Sequence, residues 1–481
     1  MTQRSIASAL RALRTPALLA AALTLPGCAL FTGDGGMSAV QGIAGERLGK
    51  DVLALRSEDD TAIARSRIKA LLARPLSADA AVQIALLNNR DLQAAYNALG
   101  VAEARRVRTS LPANPTLSLS RVTGSGAYEI ERQVAVNILS LATLPARAEI
   151  ASDRFRQAQL LAAAETIRVA TDTRRAWVQA VAARALSGFL AQAQTAAEAA
   201  SDLSRRLGET GAINKLDQAR NQVFYAELTA QLGLARQRVE STRERLVRLM
   251  GLWGDDLAFK LPSDLPRLPA RPRMVAAVEV EAVHRRLDLE AARIELAAVA
   301  KAYNLTGATR FISLLEVAGI SNRKQEPGGD AFTERGAGVE LQIPIFDFGE
   351  ANVREAEQAY MLVANRLIAK AVSVRSEARE AYQGYRAAYD IAQHYEREVL
   401  PLRKIISDET LLRYNAMQID VFSLLAEARA RIQATTAAIE ASRDFRLAET
   451  GLAAAVIGGM APPSEIQASG SVAAAEPAGG H

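Results

Sequence analysis

The run Gly338-Val339-Glu340-Leu341-Gln342-Ile343-Pro344-Ile345-Phe346-Asp347-Phe348-Gly349 changes its period at the end. Val339, Leu341, Ile343 and Ile345 alternate with Gly338, Glu340, Gln342 and Pro344, which is the two-residue period of a strand with one apolar face. Beyond Gly349 the period becomes helical. Val353, Tyr360, Leu367, Val374, Ala381, Ala388, Tyr395 and Leu402 recur every seven residues. Ala364, Ala371, Ala378, Tyr385, Ala392, Val399 and Ile406 form a second series, at spacings of four and three from the first. Together they make an a/d coiled-coil seam. A strand thus feeds a helix of about 70 residues, roughly 105 Å long at the usual rise per residue.

The same order occurs earlier in the chain. Shifted back by 205, the first series lands on Phe155, Ala162, Val169, Ala176, Ala183, Leu190 and Ala197, all apolar. The second lands on Gln159, Thr166 and Thr173, so the first seam is expected to be the weaker. Asn89 to Ala95 resembles Arg286 to Ala292, a shift of 197. Two tandem repeats follow, 76–260 and 274–459, joined by the Pro-rich linker 261–273. Each is expected to hold a leading helix (Ala78 to Ser110; Met274 to Leu305), a β-hairpin (115–139; 310–346) and a long helical hairpin. The hairpin tips fall near 208–214 and 414–420. The fold class is a mixed α/β membrane protein, mostly long α-helices.

The strands suit lipid. Tyr128, Ile130, Val134, Val136 and Ile138 alternate with Glu129, Glu131, Gln133, Ala135 and Asn137. An apolar face over about ten residues has the length and period of a tilted transmembrane strand. Four strands cannot close a barrel, and open edges in lipid leave backbone groups unsatisfied. The chain must therefore oligomerise. Three copies give a twelve-stranded barrel, with Glu129, Glu131, Gln133 and Glu340 facing water.

The first 27 residues read as a signal peptide: Arg4, Arg11 and Arg14 precede an apolar stretch, Ala17 to Leu25, too short to span a bilayer. That stretch ends Leu25-Pro26-Gly27-Cys28, and Cys28 is the only cysteine of the 481 residues. The run resembles the bacterial lipobox, which implies acylation of Cys28 as the first mature residue and a lipidated segment over 28–75. The tail 460–481 is Ala-, Gly- and Pro-rich and reads as disordered. A net charge of +5, three of it in the signal, gives no nucleic-acid footprint. One cysteine excludes an intrachain disulfide.

Leu341 to Gly349, with Pro344, Phe346, Asp347 and Gly349, resembles the strand-to-helix signature of TolC-like outer-membrane efflux proteins. Arg413 to Asp420 resembles that family's second hairpin tip, and Arg206 to Asn214 the first. The resemblance spans about Leu76 to Gly459 and implies a homotrimeric duct in the bacterial outer membrane, extending into the periplasm. It implies a periplasmic adaptor and an inner-membrane transporter as partners, besides outer-membrane lipid, and a passive role in a tripartite efflux system. A duct for type I protein secretion uses the same fold, and a lipoprotein coiled-coil tether without a channel is the alternative that needs no strands. By resemblance, Thr210, Gly211 and Ala212, with Ala416, Met417 and Gln418, mark the tips that meet the adaptor. Met417 stands where the family has Gly, which predicts a second tip of different shape. Carboxylates that narrow the tunnel in some members are replaced by Ser423 and Ala426, so Asp217, Arg220, Asp420 and Ser423 are the gate candidates. The first repeat has Leu139 to Leu144 in place of the Asp-Gly signature.

Nothing in the chain reads as catalysis. Asp347 has no motif-spaced base or nucleophile beside it and suits a helix cap. His284, His394 and His481 lack metal-ligand spacing, and no phosphate loop or cofactor motif is present.

Overall fold

The computed structural model describes residues 31–274 and 277–458. Cys28, the signal segment and the tail 460–481 lie outside the described residues. The chain divides into two compact units, one of residues 31–54, 91–163 and 287–373, the other of 55–90, 164–286 and 374–458.

The first unit carries a four-stranded antiparallel sheet in the order β1 (Thr116–Gly124), β2 (Ala127–Asn137), β3 (Leu314–Gln325) and β4 (Phe332–Gln342). Gly124 pairs with Ala127, so only Ser125 and Gly126 turn the first hairpin. Both have positive φ, 50° and 81°, and this handedness matches the twist of the flanking strands. The sheet is open: β1 and β4 each have one unpaired edge within the chain. Leu117, Leu119, Val134, Val317, Val339 and Leu341 are exposed, and the register puts them on one face. The opposite face carries Glu129, Glu131, Gln133, Glu316, Glu334 and Glu340. It also carries the sheet's buried residues, Ala135 and Ala318.

Two strand ends differ from the alternation. Ile138 and Leu139 belong to a short helix, Ile138–Ala142, capped by the Asn137 side chain, which accepts from the Ser140 amide at 2.7 Å. Ile343, Ile345 and Phe346 lie past β4, because Pro344 has no N–H for a ladder.

The same unit holds α3 (Arg90–Thr109), α7 (Leu287–Thr309), and the first parts of α4 (Leu144–Glu209) and α8 (Glu350–His394). Lys301 on α7 bridges Glu149 at 2.7 Å and Asp153 at 2.6 Å on α4. Residues near the start of the described chain are tied down by Glu103, whose carboxylate accepts from the Thr32 amide and hydroxyl, both at 2.6 Å.

The second unit contains α1 (Glu58–Leu72), α2 (Ala78–Asn88), α5 (Lys215–Met250), α6 (Val278–Arg285), α9 (Leu400–Asn415) and α10 (Val421–Ile457). Neither leading helix is continuous. Asn89 (ψ 120°) separates α2 from α3, and Arg286 (ψ 122°) separates α6 from α7. These are the two residues that the 197-residue shift aligns. Each break buries a polar side chain with a partner. Asn89 donates to the Leu249 carbonyl at 2.9 Å, and Arg286 pairs with Glu377.

The seams also differ from the heptad expectation. Phe155, Ala162, Val169, Ala176, Ala183, Leu190 and Ala197 are all buried. Thr166 and Thr173 are fully buried with them, so the first seam is not the weaker one. Thr173 satisfies its hydroxyl on the Val169 carbonyl of its own helix at 2.7 Å, which lets a small polar side chain serve in a core. In the second repeat Val374, Ala378, Tyr385 and Ala392 are buried, but Leu402 and Ile406 are exposed. The cause is the π turn Tyr395–Val399 between α8 and α9. One extra residue rotates the following face by about 100° out of register. Tyr385 and Tyr389 pack on Phe445 of α10 with ring centroids 5.6 Å apart in each pair. Their hydroxyls hold the linker: Tyr385 accepts from the Arg273 amide at 2.8 Å, and Tyr389 donates to the Pro269 carbonyl at 3.0 Å.

Candidate functional site

The strand-to-helix junction is built around Asp347. Its Oδ1 accepts from the Gly349 amide at 3.0 Å and its Oδ2 from the Ala351 amide at 3.4 Å, so it caps the start of α8. Phe348 and Gly349 both have positive φ, 48° and 71°. A Cβ at Gly349 would collide with the Arg310 carbonyl oxygen, which makes glycine a steric requirement. Arg310 Nε donates to the Phe348 carbonyl at 3.3 Å. Phe346 is 98% exposed. Pro344 supplies the turn carbonyl that accepts from the Phe348 amide at 2.8 Å.

The two hairpin tips are built alike. In the first, the Ala212 amide reaches the Leu207 carbonyl at 2.9 Å and the Gly211 amide the Gly208 carbonyl at 3.1 Å. In the second, Gln418 reaches Arg413 and Met417 reaches Tyr414, both at 2.9 Å. This paired pattern is a Schellman stop, with one residue in the left-handed region. That residue is Gly211 (φ 77°) in one tip and Met417 (φ 56°) in the other. The expected difference in shape is therefore absent: Met417 adopts the glycine conformation and bears its strain. Thr210 donates its hydroxyl to the Leu207 carbonyl at 2.9 Å, and Ala416 closes the last turn on Leu412 at 3.0 Å. Each return helix then starts on a side-chain cap. Asn214 accepts from the Asp217 amide at 2.8 Å, and Asp420 from the Ser423 amide at 2.9 Å. The Ser423 hydrogen bonds hold the Asp420 carboxyl below the ordinary carboxylate value.

Beyond the tips, Arg220 Nη1 lies 3.1 Å from Asp217 Oδ1, and Asn214 also donates to Asp217 at 2.8 Å. The Arg220 guanidinium sits 5.0 Å from the ring centroid of Phe422, so it joins the two hairpins. Ser423 and Ala426 line a groove with Ile405, Ile406 and Glu427. Glu427, one residue past Ala426, supplies a carboxylate at this groove that no motif in the sequence marks. It pairs with Arg403 at 3.2 Å while its Oε1 is buried without a hydrogen-bond partner. No motif marks Phe422 either, because an aromatic beside a tip has no signal until its partner across the hairpins is known.

Among the described residues no cluster of His, Cys, Asp and Glu could hold a metal ion. No helix among them is long and apolar enough to cross a membrane.

The described chain thus combines an open four-stranded sheet, with apolar side chains exposed on one face, and long helical hairpins. Residues 280–407 match the family model described as outer membrane efflux protein. The chain resembles TolC-like efflux channels in this segment and in fold, and the location of that family is the outer membrane. No curated protein matches the sequence. The outer-membrane channel OprN is 17% identical, with a TM-score of 0.67, over 90% of this chain and 97% of that one. The outer-membrane protein VceC from Vibrio cholerae is 14% identical, with a TM-score of 0.66, over 79% and 96%. The CmeC outer-membrane channel of Campylobacter jejuni is 16% identical, with a TM-score of 0.65, over 81% and 87%. At these identities the likeness is one of fold.

Proposed function

We propose that three copies of this chain form a passive duct, each contributing four strands to a twelve-stranded barrel in the outer membrane. The observation that carries this reading is the open sheet. Its β1 and β4 edges would be left unsatisfied in lipid, and pairing β1 of one copy with β4 of the next removes both. The acidic face then lines the lumen and the apolar face meets lipid. In this reading the duct belongs to a tripartite efflux system. Substrates are delivered by an inner-membrane pump through a periplasmic adaptor, which docks at Thr210 to Ala212 and Ala416 to Gln418. Contacts around Asp217, Arg220, Asp420 and Ser423 close the tip. Cys28 carries the lipid anchor. No energy-coupling motif is needed, because the pump supplies the work.

The test is native mass spectrometry of the detergent-purified chain, combined with conductance in planar bilayers. A trimer that conducts supports the duct. A monomer with full strand content, or a trimer that never conducts, refutes it and favours the tether.

A further inference from the structure

The lipid-side face of the sheet is not uniformly apolar. Its register places Leu117 with Val134, and Val136 with Val317 and Val339, in the rows nearer the helices. The next rows toward the hairpin turns hold Leu119, Arg132, Ser321 and Arg335, and then Arg121, Ile130, Arg323 and Thr333. Four arginines therefore occupy two adjacent rows of one face. All four side chains are exposed. The paired residues of this face include no carboxylate, whereas the opposite face has Glu129, Glu131, Glu316, Glu334 and Glu340. The one lysine of that opposite face, Lys324, is neutralised by Glu334 at 3.1 Å and Glu129 at 3.4 Å. Among the described residues no acid pairs with Arg121, Arg132, Arg323 or Arg335. Arg121 instead lies 5.9 Å from the centroid of the Tyr128 ring, in the next row outward.

A barrel residue on the lipid side that carries charge belongs at the headgroup level, where its penalty falls toward zero. The turn end of the sheet lies at the opposite end of each strand from the segment that connects it to a helix, so in the duct it meets the outer leaflet. There the arginines follow the apolar band, and Tyr128 sits where an interfacial aromatic is favoured. Strands two apart are separated by about 10 Å. Guanidinium groups from neighbouring strands can thus converge on the phosphates of one large headgroup, in the two-point geometry that arginine favours.

We propose that Arg121, Arg132, Arg323 and Arg335 form a binding site for the phosphate groups of a phosphorylated outer-leaflet glycolipid. The proposal rests on the duct reading, which sets this face toward lipid. The unpaired charge is the complement of that headgroup, and a zwitterionic lipid does not need it.

The test uses the purified full chain in neutral detergent and diphosphorylated lipid A as probe, with adducts counted by native mass spectrometry. The trimer should retain diphosphorylated lipid A about tenfold more tightly than its dephosphorylated form. Arg121→Gln with Arg132→Gln should weaken retention, and so should Arg323→Gln with Arg335→Gln. Lys324→Gln, on the other face, should leave it unchanged. Each double variant is checked first for trimer formation and conductance. Equal retention of both lipid forms, or unaltered binding in both double variants, overturns the proposal while leaving the duct intact. Saturation by inorganic phosphate alone would make this an ion site and overturn the lipid assignment. A wild-type chain that neither trimerises nor conducts overturns both readings together.

Discussion

Met417 holds in the second hairpin tip the left-handed position that Gly211 holds in the first, with the same pair of backbone hydrogen bonds. A side chain in that region costs roughly 1–2 kcal/mol. Met417 is 93% exposed, so no packing offsets the cost within the chain. Met417→Gly should raise the thermal midpoint, by an amount corresponding to about 1 kcal/mol. Gly211→Ala should lower it similarly, since a Cβ there meets no neighbour and only the backbone is strained. Circular dichroism melts of both variants check this. A destabilised Met417→Gly protein would show that the methionine makes a contact in the assembly.

The junction glycine is under a different constraint. Gly349→Ala combines a positive φ with a collision against the Arg310 backbone, so it should cost more than about 2 kcal/mol. Asp347→Ala removes only a cap and should cost about 1 kcal/mol. Denaturant titration of the two variants should rank them in that order.

Arg220 links Asp217 to Phe422, and the ion pair is partly exposed, so it is worth under about 1 kcal/mol per copy. Arg220→Glu would place like charges side by side and abolish the cation–π contact. Single-channel conductance in planar bilayers should rise, and the wild-type closed state should weaken with added salt. Unchanged conductance in an intact trimer would place the constriction elsewhere, with Glu427 the next position to vary.

Asp34 accepts from the Ser38 amide at 2.5 Å and the Gly36 amide at 3.1 Å. Its hydrogen bonds, those with Ser38 foremost, hold its pKa down to about 2, below the ordinary 3.8. Because the folded pKa is depressed, this cap contributes fully above the unfolded value and is lost as pH falls through the folded one. The protection of the amides in the helical turn Met37–Val40, relative to their intrinsic exchange at each pH, should therefore be full at pH 5 and fall between about pH 4 and 2. Asp34→Asn should remove that acid-dependent step.

Acylation of Cys28 is checked by mass spectrometry of the mature N-terminus. A lipid-modified Cys28 is expected, and Cys28→Ser should leave the trimer able to form. An unmodified cysteine, or cleavage elsewhere, would remove the anchor from the account.

Periodicity alone determined the order of strands and long helices in this protein. Alternation over Tyr128 to Val136 and Val339 to Leu341 gives strands with one apolar face, and a seven-residue repeat gives long helices, because both patterns depend only on local backbone geometry. Asp347 as a cap was legible for the same reason. What the tertiary structure decided lies where distant residues meet. The breaks at Asn89 and Arg286 follow from buried partners at Leu249 and Glu377, which a helical pattern cannot announce. The π turn Tyr395–Val399 changes the phase of an unbroken heptad, so Leu402 and Ile406 leave the core. Thr173 enters a core because a helix can satisfy a hydroxyl on its own carbonyls. The grouping of four arginines on one face required the strand register, since residues 121, 132, 323 and 335 become neighbours only when the hydrogen-bonded ladders fix which of them share a side.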